Sequence, residues 1–282
     1  MLLGTLFTAS AVVSIIILIS TCAFHSLDWL WILPVSYIGT FLLLGGLVFL
    51  VLWVSAQLVD TTKPQEQDSK YYRFQINLIA EAAIHILSVR METRGLEKIP
   101  SSGRFMLVCN HLSLMDPVLL LHYFRKSQIT FISKQENQDM FLVGKVMHKI
   151  QCQLMNREND REALKTILKC ISIIKEDKAS LAVFPEGYIH EDKKLHRFRS
   201  GVFKIAKKTE VPIVVCTMKN TKDAISNLLH HRHTNIEVSV LATIQPEEYK
   251  DLTTVDLGER IYQMMAEDLG SENVAQEIAS DT

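Results

Sequence analysis

The sequence predicts an α/β fold, with a single catalytic α/β domain around one mixed sheet, preceded by an N-terminal two-helix membrane hairpin. Three observations predict it. The first 60 residues contain two long uncharged runs and no Lys or Arg. Short apolar runs then alternate with helical patterns over about 170 residues, which is typical of strands alternating with helices around one sheet. The length of 282 residues accommodates one such domain and an appendage.

The hairpin is predicted at residues 1–59. The runs Leu2–Phe24 and Trp29–Val59 lack charged side chains, and each exceeds the roughly 20 residues that a membrane-spanning helix needs. Only four residues connect them, and Pro34 lies near the start of the second run, where a helix tolerates proline. A cleaved signal peptide is disfavoured because no charged segment precedes the first run and a second apolar run follows.

The charges that flank the hairpin predict its orientation. The connecting loop contains no Lys or Arg, whereas Lys63, Lys70 and Arg73 follow the second helix. The positive-inside rule then places the N-terminus and the catalytic domain on the cytoplasmic side. We therefore expect a membrane protein, of a bacterial inner membrane, that faces the cytoplasm. Hydropathy leaves open whether the hairpin crosses the bilayer or only dips into it.

A polar linker is predicted at 60–70, the catalytic domain at 71–269 and an acidic, disordered tail at 270–282. The helix after the linker can pack on the domain or lie on the membrane. In chain order the predicted elements are a helix Tyr72–Val89, a strand Arg104–Cys109, a helix Val118–Phe124 that Asp116 caps and Pro117 begins, a strand Ile129–Ser133, a helix Asp160–Lys175, a strand Leu181–Phe184, a helix Gly201–Lys208, strands Pro212–Thr217 and Ile236–Ala242, and a helix Arg260–Leu269.

Charge and cysteine usage narrow the function classes. Residues 61–260 contain all 30 basic residues but only 24 of the 31 acidic ones, so the body suits anionic partners such as phosphates or anionic lipids. No nucleic-acid-binding signature is present, so no nucleic-acid partner is expected. The five cysteines are scattered, and the run His230–His233 has no partnering Cys or carboxylate at ligand spacing. We therefore predict buried free thiols and no metal site.

Asn110-His111-Leu112-Ser113-Leu114-Met115-Asp116 is the first candidate for chemistry. His111 follows an apolar strand, where α/β sheets bind ligands, and Asp116 lies five residues on at a helix start. A carboxylate that holds one ring nitrogen fixes the tautomer and leaves the other as a base. No nucleophile elbow is present. The pair therefore suits direct attack of a substrate hydroxyl on an activated acyl group, with His111 as general base.

Phe184-Pro185-Glu186-Gly187 is the second candidate, a forced turn at the end of a predicted strand. The glycine permits close approach of the backbone to a ligand. Glu186 can bind a substrate hydroxyl or hold a basic residue in place.

The two motifs, in this order, resemble those of the glycerolipid acyltransferases, the lysophosphatidic acid acyltransferase-like group, over residues 75–245. The resemblance implies that His111 is the general base and Asp116 its partner. It implies that Phe131–Lys134, with Gly144 and Asn156-Arg157, form the family's second block, whose arginine is implicated in binding the acceptor phosphate. It assigns Glu186 and Gly187 to the acceptor and Val211–Val214 to the donor side. We accordingly expect substrate-binding roles for Asn110, Lys134, Arg157, Glu186, Gly187, Arg197 and Arg199.

Two departures from the family pattern bear on the acceptor. The third block reads Gly187-Tyr188-Ile189-His190 and lacks its usual arginine, and Val215 replaces the second proline of the fourth block. A phosphate can instead be held by Arg157 and by the basic run Lys193, Lys194, Arg197 and Arg199, since arginine suits phosphate well. Equally, that run can be a solvated surface or contact anionic lipid.

The resulting hypothesis is a membrane-bound acyltransferase. It moves a fatty acyl group from acyl-CoA or acyl-carrier protein, as co-substrate, to the free hydroxyl of a lysophospholipid, of which 1-acyl-glycerol-3-phosphate fits best and gives phosphatidic acid. No metal or organic cofactor is expected. The alternatives are the same chemistry on another lysolipid or an amino-acid lipid, and a non-catalytic lipid-binding membrane protein.

Overall fold

The computed structural model of the protein describes residues 1–21, 25–65, 67–156 and 159–275. Helices α1 (Leu2–Ser20) and α2 (Trp29–Gln57) form an antiparallel pair in which the rings of Phe7 and Phe41 stack, with centroids 4.9 Å apart. Both helices are long and apolar enough to cross a membrane by length and composition, and most of their surface is exposed. The predicted hairpin is therefore present as two helices of suitable length.

Helix α3 (Lys70–Ile86) joins the hairpin to the rest of the protein. The Gln75 amide and the Ser55 hydroxyl of α2 exchange hydrogen bonds of 2.9 and 3.1 Å, and the Tyr72 hydroxyl donates to the Ser55 carbonyl. The terminal amine of Met1 pairs with Glu81. The opposite face of α3 is buried in the core, so the packing alternative for this helix holds.

A buried ion pair fixes α3 to the sheet. Arg73 donates two hydrogen bonds of 3.0 and 2.6 Å to the Asp68 carboxylate, and both side chains are less than a tenth exposed. Its guanidinium also donates to the backbone carbonyl of Ile129, at 2.5 Å. The linker and α3 are thus bound to the catalytic domain rather than loosely tethered to it.

Seven strands form one sheet in the order β1-β7-β6-β2-β5-β3-β4. All neighbouring strands are parallel except β6 and β7, which pair antiparallel, so the predicted single mixed sheet is confirmed. The strands are β1 (Val89–Arg94), β2 (Met106–Cys109), β3 (Ile129–Lys134), β4 (Gln153–Met155), β5 (Ser180–Val183), β6 (Ile213–Lys219) and β7 (Thr234–Ile244).

Helices cover both faces of the sheet. One hydrophobic cluster includes residues of α3, α4 and α5, and the other includes residues of α6, α7 and α10. Alternate residues of β2 enter the two clusters, as the two-residue period of a strand requires. The remaining helices are α4 (Asp116–Tyr123), α5 (Val143–Lys149), α6 (Asp160–Lys175), α7 (Lys204–Thr209), α8 (Ala224–Leu229), α9 (Pro246–Tyr249) and α10 (Thr254–Leu269).

The predicted elements differ from the structure at several boundaries. The helix after the linker ends at Ile86, and Val89 begins β1, a strand that sequence analysis did not find. The last helix begins at Thr254, six residues earlier than predicted, because Thr253 and Asp256 form a capping box. The predicted disordered tail is wrong at its start, since Leu195 and Val274 form a β-bridge. Residues 276–282 lie outside the described residues.

Candidate active site

His111 lies at the carboxyl end of β2, which runs between β5 and β6 in the middle of the sheet. All four residues of β2 are buried, so the strand end is rigidly placed. The imidazole is 15% exposed, which leaves it accessible from the loop side. This is the edge of an α/β sheet at which ligands bind.

The Asp116 carboxylate holds the imidazole. The Nδ1 atom of His111 lies 2.8 Å from Oδ2 of Asp116, and the same oxygen accepts the backbone N–H groups of Leu112 and Ser113 at 2.6 and 2.8 Å. The Ser113 hydroxyl donates to the other oxygen at 3.2 Å. These four donors compensate the free-energy cost of burying the carboxylate completely. With the proton assigned to Nδ1, the Nε2 atom of His111 is the proton acceptor.

Asp116 differs from the prediction in one respect. Met115 is the N-cap of α4, and Asp116 is the first helical residue. Its carboxylate is directed back towards the preceding loop and not along the helix axis, because that loop supplies the four donors. Asp116 therefore organises the loop that carries His111, in addition to holding the imidazole.

The ring of Phe184 supports the other side of the site. It lies parallel to the imidazole of His111, with centroids 4.1 Å apart and planes at 14°. Phe131, on the neighbouring strand β3, stacks on Phe184 with centroids 6.1 Å apart. The sequence places Phe184 at the end of a predicted strand and in a turn motif, and no sequence pattern indicates a stack between residues so distant along the chain.

Glu186 is not placed to contact a substrate, which corrects that assignment. Its side chain is 2% exposed, and its two oxygens accept the backbone N–H groups of His111 and His196 at 2.8 and 3.0 Å. Burial raises the pKa of Glu186 to about 8, against the opposing effect of these two N–H donors. The carboxyl group therefore holds the backbone of His111 and of His196 in place.

Gly187 completes the turn after β5. Its N–H donates to the Phe184 carbonyl at 3.0 Å, and its φ of +92° is a conformation that favours glycine. A Cβ atom here would lie 3.0 Å from Nε of Arg199. The close approach that glycine permits is thus to the Arg199 side chain.

The substrate-binding assignment of Asn110 is also contradicted. Its amide donates to the Met218 carbonyl at 2.9 Å and accepts the Met218 N–H at 2.8 Å, and the side chain is fully buried. Both polar groups of the amide are therefore used to join the end of β2 to β6. Asn110 secures the strand from which His111 emerges.

Lys134 and Arg199 have their described contacts away from the imidazole of His111. Lys134 ends β3, two strands from β2, and forms an exposed ion pair with Glu136 at 2.8 Å. Arg199 is exposed, and its guanidinium carbon lies 5.9 Å above the Tyr188 ring. Arg197 is exposed as well, and Arg157 lies outside the described residues. Substrate binding by these residues stays a prediction.

The fourth block is part of the core. Ile213, Val214 and Val215 lie on β6 with no exposed surface, between β2 and β7.

A separate cavity of about 480 Å³ lies beside the edge strand β4, and its lining does not include His111, Asp116 or Glu186. Among residues that the structure describes, no group of three or more His, Cys, Asp and Glu side chains could hold a metal ion.

Comparison with known proteins places these features in a family context. Residues 90–219 match the family model described as Acyltransferase. This range contains both motifs, from Asn110 to Pro117 and from Phe184 to Gly187. The match confirms the resemblance that the two motifs indicated.

Two individual relatives resemble the chain over about half of its length. The chain is 32% identical over 159 residues to a probable 1-acyl-sn-glycerol-3-phosphate acyltransferase of Mycoplasma pneumoniae, which covers 55% of this chain and 57% of that one. It is 31% identical to the chloroplastic 1-acyl-sn-glycerol-3-phosphate acyltransferase BAT2 of Brassica napus, over 54% of this chain and 43% of the relative. The chain thus spans about half the length of these curated relatives.

A solved structure has the same fold. The crystal structure of the 1-acyl-sn-glycerophosphate (LPA) acyltransferase, PlsC, from Thermotoga maritima superposes with a TM-score of 0.62 at 21% identity, over 83% of this chain and 90% of that one. The likeness extends beyond the family-model range, and it confirms the predicted fold class.

Proposed function

We infer that this chain, which carries an acyltransferase-family domain at residues 90–219, transfers a fatty acyl group to the free hydroxyl of a lysophospholipid. The observation that carries the proposal is the His111–Asp116 pair at the end of a central strand, with Nδ1 and Oδ2 2.8 Å apart. The pair supplies a base, neither motif contains a nucleophile elbow, and the Ser113 hydroxyl donates to Asp116.

In the proposed reaction, Nε2 of His111 takes the proton of the acceptor hydroxyl as its oxygen attacks the carbonyl carbon of an acyl thioester. The tetrahedral intermediate then collapses, the carbon–sulfur bond breaks, and the imidazolium returns its proton to the departing thiolate. Asp116 stabilises the imidazolium, and Phe184 holds the ring plane. General-base assistance of this kind contributes roughly 10²–10⁴ in rate.

The acceptor that we propose is 1-acyl-glycerol-3-phosphate, and the product is phosphatidic acid. Two relatives of the chain are named as 1-acyl-sn-glycerol-3-phosphate acyltransferases, which supports this choice. So does the excess of basic residues in the body of the chain, because a phosphomonoester is anionic. The co-substrate is acyl-CoA or acyl-carrier protein, and the proposed reaction uses no metal or organic cofactor.

We further propose that α1 and α2 hold the enzyme at a bacterial inner membrane with the catalytic domain on the cytoplasmic side. The two uncharged helices support membrane binding. The basic residues that follow α2, and their absence from the short connecting loop, support the orientation. A lysophospholipid in the same leaflet would then reach the domain without leaving the membrane.

The test uses the full-length protein purified in detergent, with a labelled acyl thioester and 1-acyl-glycerol-3-phosphate. We expect labelled phosphatidic acid from the wild type and a loss of at least 10²-fold with His111→Ala. The matched control is His233→Ala, at an exposed histidine that neither motif contains. Equal product yields from wild type and His111→Ala would overturn the catalytic assignment.

A second acceptor class is favoured by one observation. Ile189 occupies the third-block position at which the family usually has an arginine. The same chemistry on another lysolipid, or on an amino-acid lipid, is therefore the alternative. A panel of lysolipids with phosphate, zwitterionic and uncharged headgroups distinguishes the two, and Arg157→Ala should impair only phosphate-bearing acceptors.

A further inference from the structure

The solvent side of α6 combines apolar and basic side chains. Leu164 and Leu168, about one helical turn apart, are 50% and 57% exposed. Arg161, Lys165 and Lys169 flank them and are exposed as well. Residues three and four positions apart lie on the same side of a helix, so these five side chains form one continuous surface, which we call the α6 stripe.

The α6 stripe carries positive charge that the protein does not neutralise. It contains no acidic residue. Asp160 and Glu162 lie in the first turn of α6, where a carboxylate interacts favourably with the helix dipole. Glu176, just after α6, already forms an ion pair with a neighbouring lysine at 2.7 Å. Among the residues that the structure describes, no carboxylate forms an ion pair with Lys165 or Lys169.

The other long helix on this face of the sheet has a different surface. The exposed side chains of α10 include one apolar residue and charges of both signs, among them Val255, Asp256, Glu259, Arg260 and Glu267. A single exposed apolar residue is common on soluble proteins. Two adjacent leucines within a group of basic residues instead resemble an interface, which has an apolar centre and a polar rim.

The α6 stripe lies on the side of the protein opposite the hairpin. The hairpin contacts α3 and α5 through Met1, Ser55 and Gln57, and these two helices cover one face of the sheet. Helix α6 packs on the other face, with α7 and α10. A basic and apolar helix surface can also bind an anionic membrane. Because this surface faces away from the two helices that would lie in the membrane, it fits a soluble acidic partner better.

The α6 stripe begins at the edge of the sheet that His111 occupies. Strands β4 and β5 run parallel to β2 in the sheet, and α6 connects them. Its first residue, Asp160, therefore lies at the edge where these strands end. The Thr166 hydroxyl donates to the Leu154 carbonyl of β4 at 2.9 Å, which fixes α6 to the sheet. A partner on the stripe would thus have the catalytic edge beside it.

We propose that the α6 stripe docks an acidic acyl-carrier protein, which delivers the acyl thioester to His111. The inference rests on the proposed acyltransfer and identifies its donor. The stripe extends over about 12 Å from Arg161 to Lys169, which suits the side of a partner helix. Its leucines supply apolar contact, and its basic residues attract and orient an acidic surface. Acyl-CoA has no protein surface to place on the stripe, so its reaction is the internal control.

The test is steady-state kinetics of the full-length protein in uncharged detergent micelles, with saturating 1-acyl-glycerol-3-phosphate. The two donors are palmitoyl-acyl-carrier protein and palmitoyl-CoA. For Lys165→Glu/Lys169→Glu we expect KM for the carrier-protein donor to rise at least about tenfold, because like charges then meet. KM for palmitoyl-CoA, and kcat with either donor, should change less than about twofold. Added salt should raise KM for the carrier-protein donor more steeply in the wild type than in the variant.

A second variant tests the apolar part of the stripe. Leu164→Gln/Leu168→Gln keeps the charge and nearly the same helix propensity, and it should also raise KM for the carrier-protein donor alone. The matched control is Lys126→Glu/Lys250→Glu, which makes the same change of charge at two exposed lysines outside α6. This control should leave both KM values unchanged.

Three outcomes would overturn the docking inference while the acyltransfer stands. They are an unchanged KM for the carrier-protein donor in both α6 variants, an equal rise for the two donors, and a wild type that uses palmitoyl-CoA alone. A loss of activity that requires anionic lipid in the micelles and affects both donors would identify the stripe as a membrane contact, which also overturns the inference. A wild type that acylates no lysolipid with either donor would overturn the proposed function, and direct titration with the carrier protein would still test the docking.

Discussion

The imidazole of His111 lies flat against the ring of Phe184, with 4.1 Å between centroids and 14° between planes. The Asp116 hydrogen bond holds one edge of the imidazole, but a single hydrogen bond permits rotation about its own axis. The stacked ring removes that freedom. The two contacts together therefore define the direction of Nε2, the atom that receives the proton in the proposed reaction.

Phe184→Leu should weaken catalysis without preventing folding. The substitution keeps an apolar side chain but removes a planar contact of about 0.5–1.5 kcal/mol, so we expect kcat to fall up to about tenfold with little change in KM. Steady-state kinetics at several pH values measure this. Phe131→Leu is the matched control, because Phe131 contacts Phe184 and not His111 in the described contacts, and it should have a smaller effect. A wild-type kcat for Phe184→Leu would contradict the positioning role.

Asp116→Asn should strongly reduce both the activity and the stability of the protein. An asparagine in the same conformation cannot accept from all four donors, and its NH2 group favours the wrong imidazole tautomer. We expect kcat to fall roughly 10²–10⁴-fold. Kinetics and thermal melting measure the two effects, and Asp251→Asn at an exposed position is the control. Retention of more than a tenth of wild-type kcat would show that Asp116 is dispensable.

Glu186 makes stability depend on pH. Its pKa is raised from the ordinary 4.5 to about 8 in the folded protein, so between these values the folded state binds more protons than the unfolded state. The free energy of unfolding should therefore fall as pH rises through this window, by at most about 1.4 kcal/mol per pH unit, and level off above it.

The comparison that isolates this effect is thermal melting of wild type and Glu186→Gln in detergent from pH 5 to 9. Glutamine does not titrate, although its NH2 group meets a backbone N–H and lowers the absolute stability. The Tm of the wild type should exceed that of Glu186→Gln by less and less as pH rises towards 8. Parallel Tm curves for the two proteins would disprove the assignment of this dependence to Glu186.

Arg73→Met should destabilise the protein by about 3–5 kcal/mol, because it leaves the Asp68 carboxylate buried without its partner. Replacing both members, as Asp68→Asn/Arg73→Met, should recover part of that loss. Thermal or chemical unfolding in detergent measures both variants. If the single and the double variant proved equally unstable, the ion pair would not account for the effect.

Local patterns made part of this structure predictable. The helix Asp160–Lys175 has the predicted bounds because its apolar face is regular; the structure adds that the Asn159 side chain caps it by accepting the N–H groups of Arg161 and Glu162. The pair His111 and Asp116 is predictable because only four residues separate them, at the point where the loop after β2 enters α4. The strand β1 was missed because its residues Val89–Arg94 are mostly polar and pair with β7 alone.

The other parts of the site depend on contacts between distant residues. Glu186 and His111 are 75 residues apart, and no periodicity indicates where a carboxylate will point after folding. The sequence therefore suggested that Glu186 faces a substrate, whereas burial and two backbone donors direct it inward. Asn110 was misassigned for the same reason, since its partner Met218 lies 108 residues away.

The attachment of the hairpin has a consequence for where the enzyme works. Helix α2 has 29 residues against 19 in α1, and α3 contacts both helices near the domain, through Ser55 and Met1. Because the Asp68–Arg73 ion pair anchors α3 to the sheet, no flexible linker separates the hairpin from the domain. If the hairpin lies in a bilayer as proposed, the height of His111 above the membrane is a fixed dimension of the molecule, and membrane thickness then governs how easily a lipid hydroxyl reaches it.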